Sequence, residues 1–183
     1  ETTERLRGQG KFSVGYAGSH GPANHLRTAL DPAALSQARQ VHFVLVGQGS
    51  EKQELIAQRD AQNLKNVTFL DPVPKALVPS LLAQFDVLYF GMKRQPLYQF
   101  GISLNKLMDY MIASKPIIQG VVAGNDPVRD AGCGLTIPPE DAPALLAAVE
   151  KMRQLNSEII HAMGDRGKSY ALTHHDYRIL AAN

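Results

Sequence analysis

The sequence predicts an α/β fold: a doubly wound parallel sheet of about six strands with helices on both faces. Strand-like and helix-like segments alternate from residue 12 to the end. VHFVLVG (41–47) is an unbroken β-branched and apolar run, the mark of a strand buried on both faces. The chain carries no repeat, low-complexity tract or internal linker to interrupt the alternation.

Each element follows from local pattern. FSVGYA (12–17) is a short apolar run, and 22–38 has helical spacing with a break at Pro32. After the strand at 41–47, residues 50–63 read as a helix, with Ser50 as N-cap and Gln53 completing a capping box. VTFL (67–70) is a third strand, 76–85 a helix with Pro79 in its first turns, and DVLYF (86–90) a fourth strand. SLNKLMDYMIAS (103–114) is a helix, PIIQGVV (116–122) a fifth strand and CGLTI (133–137) a sixth. Residues 140–155 form a helix whose first turn tolerates Pro143, and the rest is mostly helical. The organisation expected is a polar linker at 1–11, one domain over 12–165, and terminal helices at 166–183 that pack toward a further domain.

Composition narrows the function. The 183 residues are 44% hydrophobic and 20% charged with net charge +2, and no long basic run argues for nucleic acid. The single Cys133 has no partner for an internal disulfide and no metal-ligand spacing, which suits a reducing, cytoplasmic setting. No signal peptide is expected, and no apolar run approaches the roughly 20 residues of a membrane span.

Ligands of such sheets sit beyond the carboxyl ends of the strands. In GSHGPA (18–23), Gly18 and Gly21 allow close backbone approach, and a following helix would offer free amides to a phosphate. A plain tight turn explains the loop equally well, and His20 alone reads as a solvated loop histidine. GQGSEK (47–52) is part of a dinucleotide fingerprint with Lys52 in place of the last glycine, so it reads as a turn before a capped helix. DPVPK (71–75) is stiffened by two prolines, either to present backbone to a flat base or merely as a connection. The longest loop, 91–105, holds Lys93, Arg94 and Tyr98 and leads to Lys106 and Asp109 on one helix face. Those two form either a surface ion pair or the lip of a cleft. No Ser–His–Asp order, HExxH pair or Walker lysine is present, and His174 and His175 read as solvated.

Taken together, VGYAGSHGPANHL, VHFVLVGQGSEKQEL, NVTFLDPVPKALVPSLLAQFDVLYF, KLMDYMIASKPII and NDPVRDAGCGLTIPPEDAPAL resemble, in order, the C-terminal donor-binding half of GT-B glycosyltransferases of family 4. KLMDYMIASKPII is similar to the version found in bacterial surface-polysaccharide enzymes that transfer deoxy-amino sugars. The resemblance implies a retaining transferase whose donor is a nucleoside-diphosphate sugar, UDP-linked, used as substrate with no cofactor and no metal. Asp109 falls at the family's second motif glutamate and is expected to hold the ribose hydroxyls. The amides of Ser103, Leu104 and Asn105, with Lys106, would face the diphosphate. Val73 and Pro74 would edge the base, and Gly18, Ser19, His20 and Gly21 would approach the diphosphate from the opposite wall. The resemblance also implies an N-terminal acceptor domain outside these residues and a lipid-linked glycan acceptor in polysaccharide or lipopolysaccharide synthesis. The whole protein would then work in the cytoplasm, at the inner membrane face, and this chain alone would bind nucleotide weakly and transfer nothing.

The chain departs from the family at three positions. Ser19 and Asn24 stand where an arginine and a lysine usually meet the diphosphate, and Gly101 stands at the first motif glutamate. Lys106, Lys93 or Arg94 would have to supply the missing charge. Two other readings remain open: a UDP-sugar 2-epimerase-like GT-B domain, and a non-catalytic α/β module.

Overall fold

The computed structural model describes residues 10–31, 40–103 and 105–174. The strands are β1 (Phe12–Ala17), β2 (Val41–Val46), β3 (Val67–Leu70), β4 (Val87–Gly91), β5 (Ile117–Gly120) and β6 (Gly134–Ile137). They form one 6-stranded sheet in the order β3-β2-β1-β4-β5-β6. Every pairing is parallel, with Phe12 opposite Val41 and Val14 opposite Val87. The predicted doubly wound sheet is therefore present. All residues of β2 and β4 are buried, as their unbroken apolar runs require for strands covered on both faces. Fully buried side chains such as Phe43, Leu45 and Phe85 contribute about 1.5–3 kcal/mol each on leaving water.

The helices are α1 (Lys52–Ala61), α2 (Val78–Leu82), α3 (Asn105–Ile112), α4 (Pro127–Asp130), α5 (Ala142–Arg153) and α6 (Ser157–His174). Asp141 caps α5 by accepting the Ala144 amide at 2.8 Å, and Pro143 fits its first turn. Buried Asp126 caps α4 through the Arg129 amide and also accepts from Gln119 (2.5 Å) and Thr136 (2.9 Å), which fixes the loop after β5. α6 packs against α3 and runs unbroken across residue 165, with Gly167 and Ala171 buried. Of the segments expected at the termini, 1–9 and 175–183 lie outside the described residues.

Three local expectations are corrected. Residues 22–29 form two 3₁₀ turns, Pro22–Asn24 and Leu26–Ala29, instead of the start of a helix. His25 between them is left-handed (φ 43°), a conformation that no α-helix can contain. The remainder of that predicted helix, 32–38, lies outside the described residues. The capping box at Ser50 and Gln53 is absent: the N-cap is Glu51, without a side-chain bond. Finally, β5 is shorter than predicted, ending at Gly120.

The strand order reverses between β1 and β4. A parallel sheet leaves a crevice beyond the carboxyl ends at that point, and the loops after β1, β2, β3 and β4 meet there.

Candidate nucleotide site

The loops after β1 and β2 interlock. Their pairing continues past the strands: Gly18 donates to the Val46 carbonyl at 3.0 Å, His20 to Gln48 at 2.9 Å, and Glu51 to His20 at 2.9 Å. Gly47 is at φ 147°, and a Cβ there would stand 1.8 Å from the Gly18 carbonyl oxygen. One at Gly49 would lie 2.5 Å from the His20 backbone. The two glycines of GQG thus serve contact between loops, and Gly47 with Gln48 lines the crevice.

This contact also turns His20 inward. Its ring is fully buried between Tyr16 and Phe69, with centroids 5.9 and 5.8 Å away. Burial, reinforced by the nearby Lys52 ammonium, lowers its pKa to about 4, so the ring is neutral at neutral pH. The sequence reading of a solvated histidine is corrected. With no side chains at 47 and 49, the space beneath the loop accepts the imidazole.

The other wall is α3. Lys106 reaches back over the β1 loop, where its Nζ donates to the Tyr16 hydroxyl at 2.9 Å and to Asn24 Oδ1 at 2.7 Å. It also lies 4.4 Å from the Tyr16 ring centroid, a cation–π distance. A Cβ on Gly18 would come within 3.0 Å of that ammonium, so the glycine is what lets the lysine settle there. Tyr16 and Asn24 in turn both donate to the Ser19 carbonyl, at 2.6 and 3.0 Å. Lys106 and the Ser19 peptide are thereby locked to each other. An ammonium carries three donors, and these two partners use two of them. Burial lowers the Lys106 pKa to about 8. Lys106 and Asp109 do not form the ion pair considered above: Asp109 is exposed one turn further along, at the rim. Tyr110 completes this wall, its hydroxyl accepting the Ala17 amide at 2.8 Å.

Between the walls lies a cavity of about 410 Å³, closed on its third side by Pro72 and Val73. Of the predicted residues, the cavity brings together Gly18, Ser19, Val73, Lys106 and Asp109. His20 lies beneath it, while Gly21, Pro74, Ser103 and Asn105 are not part of its lining, and Leu104 lies outside the described residues. Lys93 and Arg94 do not line it either. Gly47, Gln48 and Tyr110 are additions to the predicted set. A buried tyrosine needs a partner for its hydroxyl, which was the available signal for Tyr110. Because residues 22–29 form 3₁₀ turns, the helix expected directly after GSHG supplies no dipole to that loop. The positive charge comes from Lys106 and the first turn of α3.

A second cavity, about 580 Å³, opens at the amino ends of the strands beside Lys11, Asp86 and Lys115, on the side of the sheet where such folds do not bind ligands.

A match to the family described as Glycosyl transferases group 1 extends over residues 11–154. The chain belongs to this family. Among solved structures it is similar to HepE (Alr3699) of Anabaena in complex with UDP and glucose, at 19% identity and TM-score 0.77 over 98% of this chain and 50% of that one. Sucrose-phosphate synthase of Thermosynechococcus elongatus is similar at 20% identity and TM-score 0.81, over 97% and 46%. The C-terminal domain of the glycosyl transferase group 1 protein LpcC of Francisella tularensis is similar at 14% identity and TM-score 0.71, over 97% and 94%. This glycosyl transferase group 1 chain therefore spans about half the length of the first two, and it has the fold of a C-terminal GT-B domain. No curated protein matches the chain. Among the described residues, no helix is long and apolar enough to cross a membrane.

Proposed function

We propose that this chain is the donor-binding half of a retaining glycosyltransferase that uses a UDP-linked sugar. The observation that carries this reading is Lys106, suspended over the Gly18–Ser19 backbone at the switch point of the sheet, with Asp109 one turn away at the rim of the same cavity. In this reading the diphosphate meets the Lys106 ammonium in the first turn of α3. The ribose hydroxyls bond the Asp109 carboxylate, and the base lies against Pro72 and Val73. A UDP-bound relative with the same fold supports the choice of nucleotide.

The chemistry follows from charge. As the anomeric bond breaks, the leaving diphosphate gains negative charge, and a fixed ammonium aimed at it stabilises that state more than the ground state. The acceptor hydroxyl attacks with net retention. The nucleoside-diphosphate sugar is a substrate, and the reading calls on no cofactor. The acceptor, a lipid-linked glycan in bacterial polysaccharide or lipopolysaccharide assembly, would be held by an N-terminal domain at the cytoplasmic face of the membrane. Alone, the chain binds nucleotide weakly and transfers nothing. The sugar is of the deoxy-amino class, consistent with the KLMDYM version of the motif.

Asp109→Ala tests the ribose contact. Loss of a charge-assisted pair of hydrogen bonds weakens UDP by about tenfold or more, while UDP lacking both ribose hydroxyls binds both proteins equally. Unchanged UDP affinity would remove Asp109 from the site.

A further inference from the structure

Lys52 stands where a dinucleotide fingerprint would have its last glycine, and its place in the fold explains why a long cation is there. The side chain is buried, and its ammonium uses all three donors: to the Gly47 carbonyl at 2.9 Å, the Leu70 carbonyl at 3.1 Å and Asp71 Oδ1 at 2.8 Å. Gly47 and Leu70 directly follow and end the neighbouring strands β2 and β3, where Val46 pairs with Leu70. The Gly47 amide still donates to the Leu70 carbonyl at 3.1 Å, and beyond that bond the two chains separate. One becomes the Gly47–Gln48 wall and the other the Pro72–Val73 wall of the same cavity.

We infer that Lys52 is a positioning residue for the nucleoside: a buried clamp that fixes the distance between the Gly47–Gln48 and Pro72–Val73 walls and so sets the width of the slot for the base. The inference rests on the donor reading above and deepens it. Lys52 lies behind the wall, so it acts through the two loops and touches no ligand. Asp71 is the exposed end of the clamp, and the hydrogen bond from Lys52 holds its carboxyl below the usual carboxylate range. Without the ammonium, the Gly47 and Leu70 carbonyls lose a shared partner, and the prolines of DPVP swing as one rigid piece.

The clamp predicts a split between parts of the ligand. Uridine is uncharged and reads the walls alone, whereas inorganic pyrophosphate reads the Lys106 side. NMR titrations of the chain with uridine, UDP and pyrophosphate should show Lys52→Met weakening uridine and UDP by about tenfold, with pyrophosphate changed by less than about twofold. Asp71→Ala, which keeps the buried lysine, should weaken uridine in the same direction by about threefold. A purely electrostatic role would instead leave uncharged uridine unmoved and shift UDP and pyrophosphate in opposite directions, because one variant removes a positive charge and the other a negative one. Uridine affinity unchanged in Lys52→Met overturns the inference. If that variant does not fold, unchanged uridine affinity in Asp71→Ala does so. A parent chain that binds neither uridine nor UDP overturns the donor reading itself, a result distinct from failure of the clamp alone.

Discussion

Lys106→Met removes an ammonium and keeps most of its stem, so it separates charge from packing. In the folded chain that ammonium is held by Tyr16 and Asn24 at 2.9 and 2.7 Å, which leaves its third donor without a partner among the described residues. One charge-assisted hydrogen bond to a phosphate is worth about 1.5–3 kcal/mol, so the variant should bind UDP roughly 10- to 100-fold more weakly. Uridine affinity should hold, because the base and ribose contacts do not involve Lys106. The pH dependence is a sharper test. Burial lowers the Lys106 pKa to about 8, so about nine-tenths of the protein carries the charge near pH 7 and about one-tenth near pH 9. A bound diphosphate would hold the proton, so UDP affinity should fall roughly tenfold over that interval and be flat in Lys106→Met. The window lies above the phosphate's own titration near about pH 6. Calorimetric or NMR titration across this range measures both effects. A parent chain with pH-independent UDP affinity, or a variant that loses uridine as much as UDP, would refute the assignment of Lys106 to the diphosphate.

Further outcomes follow from the same geometry. Tyr16→Phe leaves the Ser19 carbonyl with Asn24 as its donor and strands one Lys106 donor, and should cost about 1–3 kcal/mol in urea unfolding; an unchanged midpoint would contradict the locking role. Gly47→Ala puts a Cβ 1.8 Å from the Gly18 carbonyl at an unfavourable φ, so the melting temperature and UDP affinity should fall together. Gly101→Glu, which restores the residue usual in the family, should cost about 1 kcal/mol or more because φ is 103°, and it should add nothing to UDP affinity. His20 gives a stability slope. Its folded pKa, about 4, is below the unfolded value of about 6.5, so the unfolded chain takes the proton first. The stabilisation is complete above the unfolded pKa and is lost as pH falls from about 6.5 to about 4, by up to about 3 kcal/mol. Urea unfolding against pH should show this slope, and His20→Phe should flatten it.

The strands were legible because each is an apolar run bounded by glycine, proline or a polar turn, and burial on both faces leaves no other place for VHFVLV. The 3₁₀ turns at 22–29 were not. Helical spacing was present there, but the left-handed His25 breaks the helix, and spacing carries no information about φ. In the site, Asp109 and Lys106 were visible as charges on an apolar helix. Sequence proximity suggested that they pair with each other. The actual partners of Lys106, Tyr16 and Asn24, are on a distant segment and depend on Gly18 leaving room. The burial of His20 was hidden for a similar reason, since it depends on glycines of another loop. Long-range contact through missing side chains leaves little trace in local pattern.

The most direct measurement is an amide NMR titration of the chain with UDP. The account predicts shifts that converge on Gly18, Ser19, Gly47, Val73, Lys106 and Asp109, around the cavity at the carboxyl ends of β1 and β2. Shifts confined to Lys11, Asp86 and Lys115 at the opposite end of the sheet, or no shifts at all, would contradict it.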